Sequence, residues 1–331
     1  METPEEPATR LEPSQPHPPE LQAALDQFQD WCQVELNAEE ERDRVVEPLY
    51  QYTSAAGLQG ILESEAMWFT DYRHLNDPSE VRHGMARAQE VFEAAVEGTD
   101  GRAGLFLKCV ADLFSHENMA TAFDFFFACF STAGDDLGQW RAYGDNGRGF
   151  AIGFAPEMFS PRPPEPGQPP EDRSFVGRVR YEPEEILERS RRPILHAADL
   201  FLATAEENRE LMRDKAVGWP FMRELGGLLI AEQLVWHALT SKHHAYKNER
   251  EVRALMMGSG SMLKGAIKTR MRGSAEFVPY IALPWSVLEP GNIVEVVAGP
   301  AATAQVAERL LAASGLPGVA VNPSDIPYQP L

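Results

Sequence analysis

The densest group of residues fit for chemistry is Gln139-Trp140-Arg141-Ala142-Tyr143-Gly144-Asp145-Asn146-Gly147-Arg148-Gly149-Phe150-Ala151-Ile152-Gly153-Phe154. Three glycines in six residues let backbone amides approach a ligand, and Trp140, Arg141 and Tyr143 are suited to stacking on a ring or clamping a phosphate. The same residues also read as a tight hairpin with a Trp anchor in the core. A dinucleotide-binding fingerprint is excluded, because Ile152 stands where that pattern needs its third glycine.

A second group, Tyr246-Lys247-Asn248-Glu249-Arg250-Glu251-Val252-Arg253, alternates charge. On a strand Glu249, Glu251 and Arg253 share one face, with Arg250 and Val252 on the other. Two carboxylates and a guanidinium on one face are either solvated at a sheet edge or line a polar cavity. The following Ala254-Leu255-Met256 carries the strand inward and favours the cavity.

Two further groups are more polar than packing requires. In Leu49-Tyr50-Gln51-Tyr52-Thr53-Ser54, strand alternation sends Gln51 and Thr53 to one side and Tyr50, Tyr52 and Ser54 to the other. An ordinary Tyr-rich strand ending in a helix-capping Ser54 accounts for the same residues. Trp68-Phe69-Thr70 precedes Asn76-Asp77-Pro78-Ser79-Glu80, where Asp77 as N-cap, Pro78 at the first helical position and Glu80 spell a capping box.

No metal site is expected. His243 and His244 are adjacent, His74 and His83 are nine apart, and Cys32, Cys109 and Cys129 are widely spaced without a Cys-x-x-Cys pair. His237 lies in an apolar helical pattern and reads as a core residue. Serine hydrolysis finds no Gly-x-Ser-x-Gly elbow.

These groups need a scaffold, and 331 residues with 44% hydrophobic content, 17 Phe and 6 Trp supply a large core. The net charge of −20 disfavours nonspecific nucleic-acid binding and anionic lipid. The cysteine usage suggests a reducing compartment, and no segment has the roughly 18 apolar residues of a membrane span, so a cytoplasmic location without membrane association is expected.

The pattern predicts a Pro- and Glu-rich disordered tail over residues 1–20, a helical extension over 21–46, and a single α+β domain over 47–331. Within it, strands are expected at 49–54, 67–70, 125–131, 150–154, 176–181, 250–256, 278–283 and 293–297. Helices are expected at 57–63, from Asp77 to about 95, at 103–115 and at 301–313, with a Pro-rich surface loop over 161–170. A helical hairpin inserted at about 183–240, with Pro193 kinking or restarting its first helix, completes a central mixed or split β-sheet with flanking helices.

Taken in order, Tyr50-x-Tyr52-x-Ser54, Asn76-Asp77-Pro78, Trp140-Arg141-x-Tyr143, Gly149-Phe150-x-Ile152-Gly153-Phe154, Val179-Arg180-Tyr181 and Glu249-x-Glu251-x-Arg253 resemble the bacterial domain family of unknown function numbered 2971. The resemblance spans about residues 48–300. More distantly it is similar to the ADP-ribosyltransferase ground plan, which implies NAD as substrate and no metal. Carried over, Glu251, helped by Glu249, would hold the ribose hydroxyl and stabilise oxocarbenium character, and Tyr143 would stack on nicotinamide. Gln51, with Tyr52 and Thr53 beside it, would touch the nicotinamide ribose. Trp140, Arg141, Arg148 and Arg253 would serve cofactor binding, the arginines through the pyrophosphate.

The leading expectation is therefore a nucleotide-dependent, NAD-consuming enzyme. A non-catalytic ligand-binding or sensing module is the alternative, supported by Gln51 where relatives carry a basic residue or His. A phosphoester hydrolase is a third reading.

Overall fold

The computed structural model describes residues 16–75, 80–99, 101–115, 117–119, 123–160, 175–258, 263, 265–272, 276–285 and 287–329. Residues 1–15, the Asn76–Ser79 start of the capping box and the Pro-rich 161–170 segment lie outside these.

The fold is α+β, organised by one apolar strand. β3 (Asp124–Ser131) carries Phe on both faces, and both are buried, as expected of a central strand. Its Phe125 and Phe127 enter a helical core with Leu255. Phe126, Ala128 and Phe130 enter a second core on the opposite side of the sheet.

The first core is closed by helices Pro19–Asp43, Glu80–Glu97, Gly101–Leu113, Pro183–Glu207 and Lys215–Leu229. The N-terminal helix buries Leu21, Leu25, Phe28 and Cys32 in this same core. Its polar end is tied down as well: Asp43 accepts from Arg180 at 2.6 Å, and Glu39 pairs with Arg189. Pro193 neither restarts nor divides helix Pro183–Glu207.

Around β3 lie β1 (Leu49–Thr53), β2 (Met67–Asp71), β4 (Phe150–Phe154), β5 (Phe175–Arg178), β6 (Glu251–Gly258), β7 (Ile267–Arg272), β8 (Glu276–Leu283), β9 (Ile293–Ala298) and β10 (Ala320–Pro323). The main path runs β10-β9-β4-β1-β3-β2-β8-β7, with β6 on β3 and β5 on β6. β10 and β9 are parallel, and the other strand pairs are antiparallel.

This path contains a split. β6 occupies one edge of β3 along its whole length, from Asp124↔Gly258 to Ser131↔Glu251. The other edge is shared: β2 pairs at Phe126 and Phe127, while β1 pairs only at Tyr50↔Ser131. Ala128, Cys129 and Phe130 therefore have a strand neighbour on one edge alone. Beyond Tyr50, β1 leaves β3 to pair with β4, and β2 is held by β8. Helix Ala55–Ser64 joins the two diverging strands, capped by Ser54, whose Oγ accepts from the Gly57 amide at 3.1 Å.

Two strands escape the sequence pattern. β7 reads Ile-Lys-Thr-Arg-Met-Arg, an edge strand with no continuous apolar face, and β10 is an exposed edge strand ending in Pro323.

Candidate functional site

A cavity of about 200 Å³ fills the split. One wall is Tyr50–Thr53 of β1, the other Trp68 and Thr70 of β2 with Arg270 and Arg272 of β7, and Phe127–Ser131 form the floor. Tyr143, Gln139, Glu80, Lys242, Glu249 and Glu251 close the end beneath the helices.

The closed end is an ionic cluster built from distant parts of the chain. Lys242, just beyond helix Val235–Leu239, is fixed by its backbone N–H, which donates to Arg180 O at 2.9 Å. Its Nζ lies 2.8 Å from Glu80 Oε1, 2.6 Å from Glu249 Oε2 and 3.0 Å from Glu251 Oε2. Arg253 is buried, donates from Nε to Glu251 Oε1 at 2.7 Å and from Nη1 to Leu239 O at 2.7 Å, and pairs through Nη2 with Glu80. Three carboxylates thus meet two cationic heads in a space withdrawn from water.

Burial by itself raises the Glu251 carboxyl, but Arg253 and Lys242 overcome it and hold the group at about 2. Glu251 is a fixed anion. Both of its oxygens are engaged, and its backbone N–H donates to the Tyr181 hydroxyl at 2.9 Å. Glu249 is the more accessible of the pair, with its side chain 18% exposed against 6% for Glu251.

The two carboxylates do not alternate along a strand. Glu249 ends a short 3₁₀ segment, His244–Glu249, and Arg250 adopts a left-handed conformation at φ 47° before β6 begins at Glu251. That turn brings both carboxylates to Lys242. Its backbone is pinned by Ser131 Oγ, which donates to Glu249 O at 2.8 Å.

Tyr143 donates its hydroxyl to Glu249 Oε1 at 3.0 Å. Burial, with the charges of Glu249 and Glu251 adding to it against Lys242, pushes the phenol well above its usual range, so it remains a donor. Gln51, on the β1 wall, has a buried Oε1 with no hydrogen-bond partner. Thr53 also lines this wall, and Tyr52 is held there by its hydroxyl, which donates to Ala133 O at 2.8 Å.

The remaining candidates lie elsewhere. Trp140 is buried below the cavity wall, edge-on to Tyr52 with centroids 4.6 Å apart, and donates Nε1 to Asp135 at 2.6 Å. Arg141 and Arg148 are exposed and do not line the cavity. Arg253 lies behind Glu251, with its guanidinium consumed by the cluster. The glycines of the 144–149 turn approach their own chain: a Cβ on Gly149 would lie 2.1 Å from Thr53 O, and one on Gly144 would lie 2.5 Å from the Trp140 ring.

Sequence reasoning missed Lys242, Arg270 and Arg272 and gave Glu80 only a capping role; Gln139 stood in the first group without a role of its own. Lys242 is an isolated basic residue after a helix, and no local pattern marks it. Glu80 was read as a capping residue, although its carboxylate is buried against Arg253 and Lys242. Among the described residues no group of three or more His, Cys, Asp or Glu could hold a metal ion, and no helix is long and apolar enough to cross a membrane.

An α+β scaffold with a split sheet and an ionised carboxylate cluster in the split is thus the class of protein defined by the geometry. Residues 139–254, which contain Tyr143, Lys242, Glu249, Glu251 and Arg253, match the model of the family described as protein of unknown function (DUF2971). No curated protein and no solved structure matches the chain.

Proposed function

We propose that the cavity is the active site of an NAD-consuming enzyme of ADP-ribosyltransferase type, cleaving the bond between nicotinamide and ribose. The observation that carries this reading is the excess of carboxylate over cation at the closed end, where Glu80, Glu249 and Glu251 face Lys242 and Arg253. Loss of nicotinamide leaves positive charge on the ribose. A fixed anion in a low-dielectric pocket stabilises that charge more in the transition state than in the ground state.

The geometry supports a division of labour within the pair. Glu249 is the carboxylate with access to a ligand, oriented by Tyr143 and Lys242. Glu251 fixes Lys242 and Arg253 from beneath. Gln51, whose acceptor oxygen is unpartnered, suits an amide or hydroxyl donor of the ligand.

A second reading, a ligand-binding or sensing module, is favoured by one observation: both oxygens of Glu251 are already taken by cations. The two separate on one experiment with the full-length protein, calorimetric titration with NAD followed by measurement of released nicotinamide. Binding with release that disappears in Glu249→Gln supports the enzyme. Binding without release assigns the site to sensing, and absence of binding at millimolar NAD removes NAD as the ligand.

A further inference from the structure

The arginines expected to hold a phosphate are exposed or committed elsewhere, whereas one that no sequence motif marked lies in the cavity without a carboxylate partner among the described residues. Arg270 reaches from β7 across β8 to the β2 wall, where Nη2 donates to Thr70 Oγ1 at 3.0 Å. Its guanidinium carbon lies 5.0 Å from the Trp68 ring centroid and 5.8 Å from that of Tyr280, and those two rings are 5.1 Å apart. An aromatic cradle of this kind fixes the plane of the guanidinium and leaves its donors free along the edge.

Only Nη2 has a side-chain partner, the Thr70 hydroxyl. Nε is buried without a partner, and among the described residues no carboxylate pairs with Arg270. This contrasts with the other cavity cations: Lys242 meets three carboxylates, and Arg272 is held by Glu276 at 2.8 Å through both Nε and Nη2. A desolvated guanidinium beside a second positive charge is costly unless an anion completes it. With Arg272 already compensated by Glu276, Arg270 is the unpaired charge, so the cavity is polarised, with carboxylates at the helix-covered end and positive charge at the β7 end.

We infer that Arg270 is the anion-binding residue of the cavity and that the ligand is an organic phosphate, its phosphate on the guanidinium and its hydroxyl-bearing part directed toward Gln51 and Glu249. The inference rests on the cavity being a ligand site, as proposed above, but not on which bond is broken there. Arg suits this role because its fork can donate two parallel hydrogen bonds to phosphate oxygens.

The test is calorimetric titration of the full-length protein with ADP, inorganic pyrophosphate and adenosine, for wild type, Arg270→Gln, Arg270→Lys and Arg141→Gln. ADP binding that exceeds adenosine binding by at least about tenfold, drops by a similar factor in Arg270→Gln and persists in Arg141→Gln, an exposed arginine outside the cavity, bears the subsite out. If Arg270→Gln does not fold, loss in Arg270→Lys together with weakening of wild-type binding by salt gives the same answer. Equal affinity for ADP and adenosine, unchanged ADP affinity in both Arg270 variants, or no binding of ADP or pyrophosphate at millimolar concentration overturns it. ADP binding that depends on Arg270 in a protein that releases no nicotinamide from NAD keeps the phosphate subsite and discards the glycosidic reaction alone.

Discussion

Lys242 Nζ and Glu251 Oε2 lie 3.0 Å apart although one residue follows a helix and the other opens a sheet strand. The contact joins the helical layer to the split in the sheet, with Glu80 from a third element completing it. An ion pair this deeply withdrawn from water stabilises the fold little compared with an apolar pair, but losing one partner strands the other.

Replacing Lys242 by Met therefore leaves Glu251, Glu249 and Glu80 facing one another, with Arg253 as the compensating cation among the described residues. The expected cost is about 3–5 kcal/mol of folding stability, read from urea unfolding. Adding Glu251→Gln to Lys242→Met should recover part of that loss. A double variant no more stable than the single one contradicts the pairing.

Glu249→Gln and Glu251→Gln should part company. Glu249 is partly accessible, so its replacement should leave the thermal midpoint within a few degrees while abolishing ligand turnover. Glu251→Gln unbalances Arg253 and Lys242 and should lower stability by about 2 kcal/mol or more. Equal stability losses in the two variants would count against the division of roles.

Tyr143→Phe removes the hydroxyl donor to Glu249 Oε1 without changing the ring. A stability loss of about 1 kcal/mol is expected, together with weaker ligand turnover and little change in phosphate-probe affinity. Wild-type turnover in this variant would show that the orientation of Glu249 does not depend on Tyr143.

Acid should weaken the protein in two stages. Burial, reinforced by Arg189, lowers the His237 imidazole to about 4 from 6.5, so between those values the unfolded chain binds the proton and the folded chain does not. Stability then falls as pH drops from about 6.5 toward 4, by up to about 3 kcal/mol. Glu39 and Glu251 are each held at about 2 against an ordinary 4.5, so their contribution is present above 4.5 and is lost as pH falls toward 2. Urea midpoints across pH 7 to 3 check both stages; His237→Gln should flatten the first and, because His237 helps hold the Glu39 carboxyl down, also reduce the Glu39 share of the second.

The elements with strong local signals were legible in the sequence. Phe125 to Phe130 could only be a strand buried on two faces, and Ser54 marked the start of the next helix. β7 and β10 were not legible, because an edge strand answers to its neighbours and needs no apolar alternation. Tyr143, Gln51, Glu249 and Glu251 were named from polar density and family resemblance, and the structure brings all four to one cavity. Lys242 and Arg270 were invisible for a physical reason: each acquires its role from residues far away in sequence, and a lone basic residue has no periodicity. The glycine turn misled for a related reason, since close approach to a ligand and close approach to Thr53 O impose the same residue.

The walls of the cavity hang from opposite halves of the sheet, β1 from β4 and β2 from β8, and share β3 as a strand neighbour. A molecule bridging Gln51 and Arg270 would act as a tie bar between them, so its arrival should slow amide hydrogen exchange in both walls together and leave the far edge at β10 untouched.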